Sequence, residues 1–256
     1  MKTLILAGGT GSRLSEETVS RPKPMVEIGG RPIIWHIMKH YAHYGLDDFL
    51  IALGYKGEYI KRYFADYAHL ASDLTVNLRE GKVIRHNQDA EEAWNIALID
   101  TGLNTHTGGR IRKMASFIDG TFMATYGDGV ADVDIDQLLA FHRAQGKLAT
   151  LTAVRPPSRF GSLEFDGDNV TAFTEKPQMG EGWINGGFFV LEPEVLDYID
   201  GDGIDFSKEP LMNLAKDGQL AAFKHESFWQ CMDTQRDMVY LQELWDGGAP
   251  PWKTWS

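Results

Sequence analysis

Two hydrophobic periods alternate along the first 154 residues of the chain. Short apolar runs typical of buried strands occur at residues 4–6, 48–53, 74–78, 96–99, 122–125 and 150–154. Apolar residues recur at helical spacing in residues 33–41, 59–64 and 135–141. The polar stretch 79–93 is consistent with an excursion or a hairpin. Strands that alternate with helices predict βαβ units, and therefore a parallel sheet with helices on both faces.

The pattern changes after residue 155, where turn signals separate shorter apolar segments. Strands are predicted at residues 163–165, 170–173, 188–191 and 220–223, and helices at 195–199, 211–217 and 237–245. No linker-like segment divides the chain, so we predict one domain over residues 1–256. The predicted fold class is α/β: a Rossmann-like mixed, mostly parallel sheet with helices on both faces and a β-rich carboxyl-terminal extension.

Composition narrows the classes of partner. The formal net charge of −11 over 256 residues argues against nucleic acid or an anionic membrane, because both require a basic surface. The single cysteine, Cys231, excludes an internal disulfide framework. We expect neither a signal peptide nor a membrane span, since no apolar run approaches about 18–20 residues. These features predict a cytoplasmic protein.

A glycine cluster follows the first predicted strand, in the stretch K-T-L-I-L-A-G-G-T-G-S-R. Gly8, Gly9 and Gly11 allow a tight turn whose free N–H groups can cradle phosphate oxygens. Arg13 adds a planar cation that matches phosphate geometry. The spacing fits neither the dinucleotide fingerprint nor the P-loop. Phosphate binding and a plain tight turn both remain open from these residues alone.

Two aspartates end strands of the predicted sheet. Asp128 follows the strand at 122–125, and Asp233 follows the segment 228–231. Ligands of open parallel sheets bind at the carboxyl ends of the strands, so the two carboxylates would meet there and hold Mg²⁺. The alternatives are a turn residue for Asp128 and a helix N-cap for Asp233.

Local rules also give three expectations about structure alone. Pro24 biases Lys23 towards an extended conformation that presents the lysine. The turn-rich residues 101–110 predict a loop, with a helix beginning at 111. His36 and His40 have the i, i+4 spacing of metal ligands, but without a third ligand nearby we interpret them as a helix-surface pair.

Six motifs in order along the chain resemble those of the sugar-1-phosphate nucleotidyltransferases. They are L-A-G-G-T-G-S-R-L at 6–14, P-K-P-M-V at 22–26, Y-G-D-G at 126–129, F-T-E-K-P at 173–177, I-N-G-G-F-F-V at 184–190 and W-Q-C-M-D-T at 229–234. The resemblance covers essentially the whole chain. It implies a nucleotide-binding core over residues 1–154 and a sugar-phosphate-binding part over 155–256.

The resemblance is greatest to the members that use CTP and glucose 1-phosphate. Thymidylyl- and uridylyltransferases typically carry a Q-P-x-G-L-A-type stretch, and T-G-G-R at 107–110 stands in its place. The implied products are CDP-glucose and pyrophosphate, with Mg²⁺ as cofactor. Such enzymes commonly form homo-oligomers, and the aromatic tail at 250–255 is a weak indication of an interface.

The resemblance also implies roles for individual residues. The catalytic cations would be Arg13, at the β- and γ-phosphates, and Lys23, at the α-phosphate. Asp128 and Asp233 would hold the metal. The nucleotide would contact Leu6, Ala7, Gly8, Gly9, Thr10, Gly11, Thr107, Gly109 and Arg110. The sugar phosphate would contact Glu175, Lys176 and Asn185.

Other classes of protein remain as alternatives. A nucleotidyltransferase for another sugar phosphate, polyol phosphate or nucleotide is the nearest. A nucleotide-sugar glycosyltransferase would use a D-x-D motif, which Asp132 and Asp134 superficially supply. A regulator that only binds nucleotide would be expected to lack a metal carboxylate or the loop arginine, and this chain has both.

Overall fold

The computed structural model describes residues 1–11, 14–86, 92–156, 162–166, 169–174 and 182–255. Its strands are β1 (Lys2–Ala7), β2 (Glu27–Ile28), β3 (Arg31–Pro32), β4 (Asp48–Leu53), β5 (Asp73–Asn77), β6 (Lys82–His86), β7 (Asn95–Asp100), β8 (Phe122–Tyr126), β9 (Gly129–Ala131), β10 (Ala149–Val154), β11 (Ser162–Asp166), β12 (Asn169–Thr174), β13 (Ile184–Leu191), β14 (Leu220–His225) and β15 (Trp229–Cys231). Its α-helices are α1 (Ser15–Thr18), α2 (Ile33–His43), α3 (Gly57–Ala65), α4 (Tyr67–Leu70), α5 (Thr107–Lys113), α6 (Ile135–Gln145), α7 (Glu209–Lys216) and α8 (Gln235–Asp246). None of the helices in these ranges is long and apolar enough to cross a membrane.

Seven strands form the central sheet in the order β14-β10-β13-β8-β1-β4-β7. β1 pairs in parallel with β4 and β8, β4 with β7, and β10 with β14. Only β13, among the strands described in this sheet, runs antiparallel to its neighbours β8 and β10. The predicted mixed, mostly parallel α/β sheet is thereby confirmed.

Both faces of the sheet are covered, as the apolar runs predict. Along β1, Ile5 and Ala7 belong to a cluster that includes residues of α2, α6 and α8. Leu4 and Leu6 point the other way, into a cluster that includes residues of α5 and α7. Alternate side chains of a strand point to opposite faces, so the continuous apolar run is the sequence record of a doubly covered sheet.

The carboxyl-terminal part is more closely integrated than an appended extension. β13 lies between β10 and β8, and β14 forms one edge of the central sheet. β11 and β12 form a separate antiparallel pair, as do β5 and β6. The hairpin alternative for residues 79–93 is therefore the correct one as far as residue 86, and residues 87–91 lie outside the described residues.

The aromatic tail packs against its own chain. Trp252 is 1% exposed and contacts His36 and Phe228, while Trp255 packs on Trp35. The large side chains of the tail are already covered within the chain, so they add no support for an oligomer interface, and the homo-oligomeric state stays a prediction.

His36 and His40 are buried rather than surface-exposed. His36 contacts the backbone carbonyl of Ile28 through Nε2, and His40 contacts Thr254 through Nδ1. Burial lowers the pKa of both imidazoles to about 4. Both histidines are thus neutral core residues, and the interpretation of a helix-surface pair is wrong.

Candidate active site

A cavity of about 570 Å³ opens at the carboxyl ends of β1 and β8. Cavities of this size accept small-molecule ligands, and this edge of a parallel sheet is where such folds bind them. The lining residues are Leu6, Ala7, Gly8, Gly9, Thr10, Gly11, Lys23, Pro24, Leu103, Asn104, Thr105, His106, Thr107, Arg110, Tyr126, Gly127, Asp128, Asp205 and Asp233.

The glycine loop forms one wall of this cavity. At Gly11 the backbone is left-handed, with φ of 64°, and a Cβ atom would lie 2.8 Å from Cγ2 of Thr18. The carbonyl of Gly8 accepts a hydrogen bond from the N–H of Tyr55, and that of Gly11 accepts one from Leu14. The left-handed backbone and the close contact with Thr18 together explain why residue 11 is glycine. Arg13 lies outside the described residues.

Lys23 reaches the cavity from a short 3₁₀ turn, Lys23–Met25. The expected extended conformation is wrong at this point, because Pro24 occupies the first turn of a helical segment, where proline is tolerated. The Lys23 Nζ donates to Asp128 Oδ2 at 2.6 Å and to Asp233 Oδ1 at 2.5 Å. Burial by itself lowers the pKa of Lys23, but the two aspartates outweigh it and raise that pKa above its ordinary value.

A two-stranded ribbon brings the two carboxylates together. β9 and β15 pair antiparallel, with Gly129 opposite Cys231, and the N–H of Met232 donates to the carbonyl of Asp128 at 2.8 Å. Asp128 precedes β9 and Asp233 follows β15, so both stand at the same end of the ribbon. The prediction that Asp128 and Asp233 meet at the carboxyl edge of the sheet is confirmed.

Two alternative interpretations of aspartates do not survive the geometry. The N-cap of α8 is Thr234, which forms a capping box with Asp237, rather than Asp233. In the D-x-D pair, Asp132 accepts a hydrogen bond from Ser227 and Asp134 caps α6. Both residues of that pair thus have structural roles in the fold.

The donor set fits magnesium. No group of three or more His, Cys, Asp or Glu side chains arranged to hold a metal is present in the described part of the chain. Mg²⁺, however, is commonly held by one or two carboxylates together with substrate phosphates and water. Asp128 and Asp233 converge on one point beside the glycine loop, with a cation, the Lys23 ammonium, between them.

Sequence reasoning missed the opposite wall of the cavity. Asp205 accepts hydrogen bonds from the hydroxyls of Thr107 and Ser207 at 2.9 and 2.8 Å. Burial opposes ionisation of Asp205, but these hydrogen bonds outweigh it and lower the pKa of its carboxyl group. Burial and the charges of Asp205 and Asp128 raise the pKa of Tyr126 to about 12. Tyr126 was visible within the Y-G-D-G motif, whereas nothing local marks Asp205.

The predicted contact residues divide into three groups. Those lining the cavity are Leu6, Ala7, Gly8, Gly9, Thr10, Gly11, Lys23, Thr107, Arg110, Asp128 and Asp233. Those lying behind or beside it are Gly109, packed against the backbone of Asp202, and Asn185, which accepts a hydrogen bond from the N–H of Gly187. Those outside the described residues are Arg13, Glu175 and Lys176. The T-G-G-R stretch is the start of α5 and not a loop, so the expected helix start at 111 is wrong.

The doubly covered sheet and the cavity with its glycine loop and converging charges define an α/β protein of the class that binds ligands at the carboxyl ends of its strands. Residues 2–243 match the model of the family described as nucleotidyl transferase, and the chain belongs to this family. This confirms the family resemblance of the six motifs.

Individual relatives support the same assignment. The chain is 54% identical over 258 residues to the glucose-1-phosphate cytidylyltransferase of Salmonella typhi, with 100% of both chains covered. It is 45% identical over 257 residues to the probable glucose-1-phosphate cytidylyltransferase of Bacillus subtilis, again with 100% of both covered. The crystal structure of HddC from Yersinia pseudotuberculosis is similar in fold, with a TM-score of 0.70 and 23% identity over 95% of this chain and 99% of that one.

Proposed function

We propose that this protein transfers the cytidylyl group of CTP to α-D-glucose 1-phosphate, giving CDP-glucose and pyrophosphate. The full-length similarity to relatives of that name supports the choice of substrates. The structural observation that carries the proposal is the position of Lys23, Asp128 and Asp233 at the mouth of the glycine loop. A cation and a pair of metal-binding carboxylates beside a phosphate cradle suit the handling of a nucleoside triphosphate.

The chemistry we propose is direct transfer. An oxygen of the sugar phosphate attacks the α-phosphorus of CTP, the new P–O bond forms, and the bond from the α-phosphorus to the bridging oxygen of pyrophosphate breaks. The protein's part is positioning and charge neutralisation, which account for most of the catalysis in phosphoryl-type transfers. The N–H groups of the loop would orient the phosphates, and Lys23 would stabilise charge at the α-phosphate.

The only cysteine of the chain is unsuited to a covalent route. Burial and the charges of Asp233 and Asp128 raise the pKa of the Cys231 thiol to about 12. A thiol with this pKa is protonated at neutral pH, and the thiolate is the nucleophilic form. The nucleophile is therefore expected to come from the substrate.

The remaining assignments also belong to this proposal. Asp128 and Asp233 would hold Mg²⁺, which when bound neutralises charge on the phosphates. Arg13 would contact the β- and γ-phosphates, and Glu175, Lys176 and Asn185 would meet the sugar phosphate. A cytoplasmic location, a homo-oligomeric state and the division at residue 154 stay predictions of the sequence.

The experiment is pyrophosphate release with glucose 1-phosphate and Mg²⁺, run separately with CTP, UTP, dTTP, ATP and GTP. We expect release with CTP, and CDP-glucose as the second product by chromatography and mass spectrometry. The Asp233→Asn variant, purified in parallel and assayed at a limiting Mg²⁺ concentration, controls for a contaminating enzyme. Preference for another nucleotide would contradict the cytidylyl assignment, and the absence of release with all five nucleotides would contradict glucose 1-phosphate as the acceptor.

A further inference from the structure

Arg110 is a buried cation whose donors are used by the protein itself. Only 3% of the surface of Arg110 is exposed. Nη1 donates to the carbonyl of Leu53 at 2.8 Å, to the hydroxyl of Thr101 at 2.5 Å and to the carbonyl of Gly102 at 2.9 Å. Nη2 donates to the carbonyls of Gly8 at 2.9 Å and Leu103 at 3.4 Å. Each terminal nitrogen carries two N–H groups, so five acceptors surround four donors.

The acceptors belong to the carboxyl ends of three adjacent strands. Gly8 follows β1, Leu53 ends β4, and the segment 101–103 follows β7. β1, β4 and β7 are neighbours in the sheet. One planar guanidinium therefore ties the glycine loop to the two neighbouring strand ends and to the segment that leads into the far wall of the cavity.

Two glycines make the space that the guanidinium occupies. A Cβ atom on Gly8 would lie 2.2 Å from Arg110 Cζ. A Cβ atom on Gly54 would lie 2.5 Å from Arg110 Nη1 and 2.6 Å from the carbonyl oxygen of Gly8. Gly54 is not among the residues lining the cavity, and its φ is not positive, so glycine there is explained by the approach of Arg110 and Gly8.

This arrangement changes the role expected for Arg110. Binding a phosphate or a base through its terminal N–H groups would require breaking hydrogen bonds to buried carbonyls, and unpaired buried carbonyls cost free energy. We propose that Arg110 is a positioning residue, which fixes the Gly8 carbonyl and residues 101–103 so that the phosphate cradle is formed before the nucleotide binds. A cradle that is already formed lowers the entropic cost of binding the nucleotide. This consequence for nucleotide affinity rests on the proposed function.

Amide hydrogen exchange in the nucleotide-free protein tests this proposal. The variants are Arg110→Lys, which keeps the charge but loses the planar fork, and Gly54→Ala, whose Cβ atom would displace both the guanidinium and the Gly8 carbonyl that it holds without altering Arg110. Gly120→Ala is the matched control, since a Cβ atom there meets nothing within 4 Å and its φ is not positive. We expect exchange at residues 8–11 and 101–103 to be at least tenfold faster in both variants, with exchange in β10 unchanged.

The kinetic readout separates positioning from general support of the fold. In Gly54→Ala we expect the KM for CTP to rise at least tenfold while kcat stays within about threefold. Unchanged loop exchange in both variants would overturn the proposal, whatever nucleotide the protein uses. Faster exchange with an unchanged KM for CTP would also overturn it, because the loop order would then have no part in binding. If the protein did not catalyse the proposed reaction, the hydrogen-exchange result would still test the positioning role of Arg110, because it is measured without nucleotide.

Discussion

Lys23 is expected to compete with a divalent metal for the space between Asp128 and Asp233. Its ammonium lies within 2.6 Å of an oxygen of each aspartate, and the three side chains are only 10%, 28% and 17% exposed. In the free protein the lysine therefore plays the part of the counter-ion. Metal binding without nucleotide requires that these charge-assisted hydrogen bonds be given up. We predict that Lys23→Met binds the metal more tightly than the unaltered protein while turning over more slowly.

The size of the effect follows from the geometry. In Lys23→Met the two carboxylates face each other at about 4–5 Å, and at an effective dielectric constant near 20 two unit charges repel by about 3–4 kcal/mol. A bound divalent cation removes this repulsion and no longer displaces an ammonium. Because 1.4 kcal/mol is a factor of ten, relief of this repulsion corresponds to an increase in affinity of at most roughly 700-fold. Water entering the site weakens the repulsion, so we expect about 10- to 100-fold.

The assay is calorimetric titration of Mn²⁺ into the free protein. Lys39→Met is the matched control. Lys39 also forms an ion pair, with Glu92 at an N–O distance of 3.1 Å, but neither residue lines the cavity. The control should leave the Mn²⁺ affinity unchanged. An affinity in Lys23→Met equal to or weaker than that of the unaltered protein would refute the idea that the lysine and the metal share one place.

Three further predictions concern the metal site and the core. Asp233→Asn should raise the Mg²⁺ concentration for half-maximal activity at least tenfold with the circular dichroism spectrum unchanged; an unaltered requirement would remove Asp233 from the metal site. Trp252→Ala should lower the free energy of unfolding by about 3–5 kcal/mol in urea titrations, and a loss no larger than that of exposed Met212→Ala would contradict its burial. His36 and His40 should titrate near pH 4 by NMR, and midpoints near 6.5 would contradict their burial. Because the unfolded chain takes up these protons near pH 6.5, the two neutral histidines favour folding above pH 6.5, and this contribution to stability is lost as the pH falls towards 4.

The strands of the core were predictable because their signal is local. The apolar run at 48–53 coincides with β4, and the run at 122–125 ends one residue short of β8. A strand covered on both faces must be apolar throughout, and it needs no knowledge of its partners to be recognised. The order of the strands and the antiparallel direction of β13 depend on long-range pairing, which no local pattern contains.

The errors have a common cause in tertiary contacts. Gly108 and Gly109 suggest a loop, yet a Cβ atom on either would lie within 2.8 Å of the backbone of Ile204 or Asp202. They are glycines because α5 packs closely there. The buried position of His36 likewise follows from its contact with Trp252, which is 216 residues away in the chain.

In the candidate site, too, the features with a local sequence signal were predictable and those that depend on tertiary contacts were not. The glycine loop and the two carboxylates could be located from sequence because strand ends collect ligands in this fold class. The ammonium of Lys23 between those carboxylates was not predictable, since its partners are 105 and 210 residues away. Asp205 was missed because its place in the cavity depends on hydrogen bonds from Thr107, in a different segment of the chain.

The measurement that tests the central claim most directly follows oxygen atoms through the reaction. Glucose 1-phosphate labelled with ¹⁸O at its three non-bridging phosphate oxygens is incubated with CTP, Mg²⁺ and the protein, and the products are examined by mass spectrometry. Direct attack on the α-phosphorus predicts CDP-glucose that retains all three labelled oxygens, together with unlabelled pyrophosphate. Label in the pyrophosphate, loss of label from the nucleotide sugar, or the absence of CDP-glucose would contradict the account.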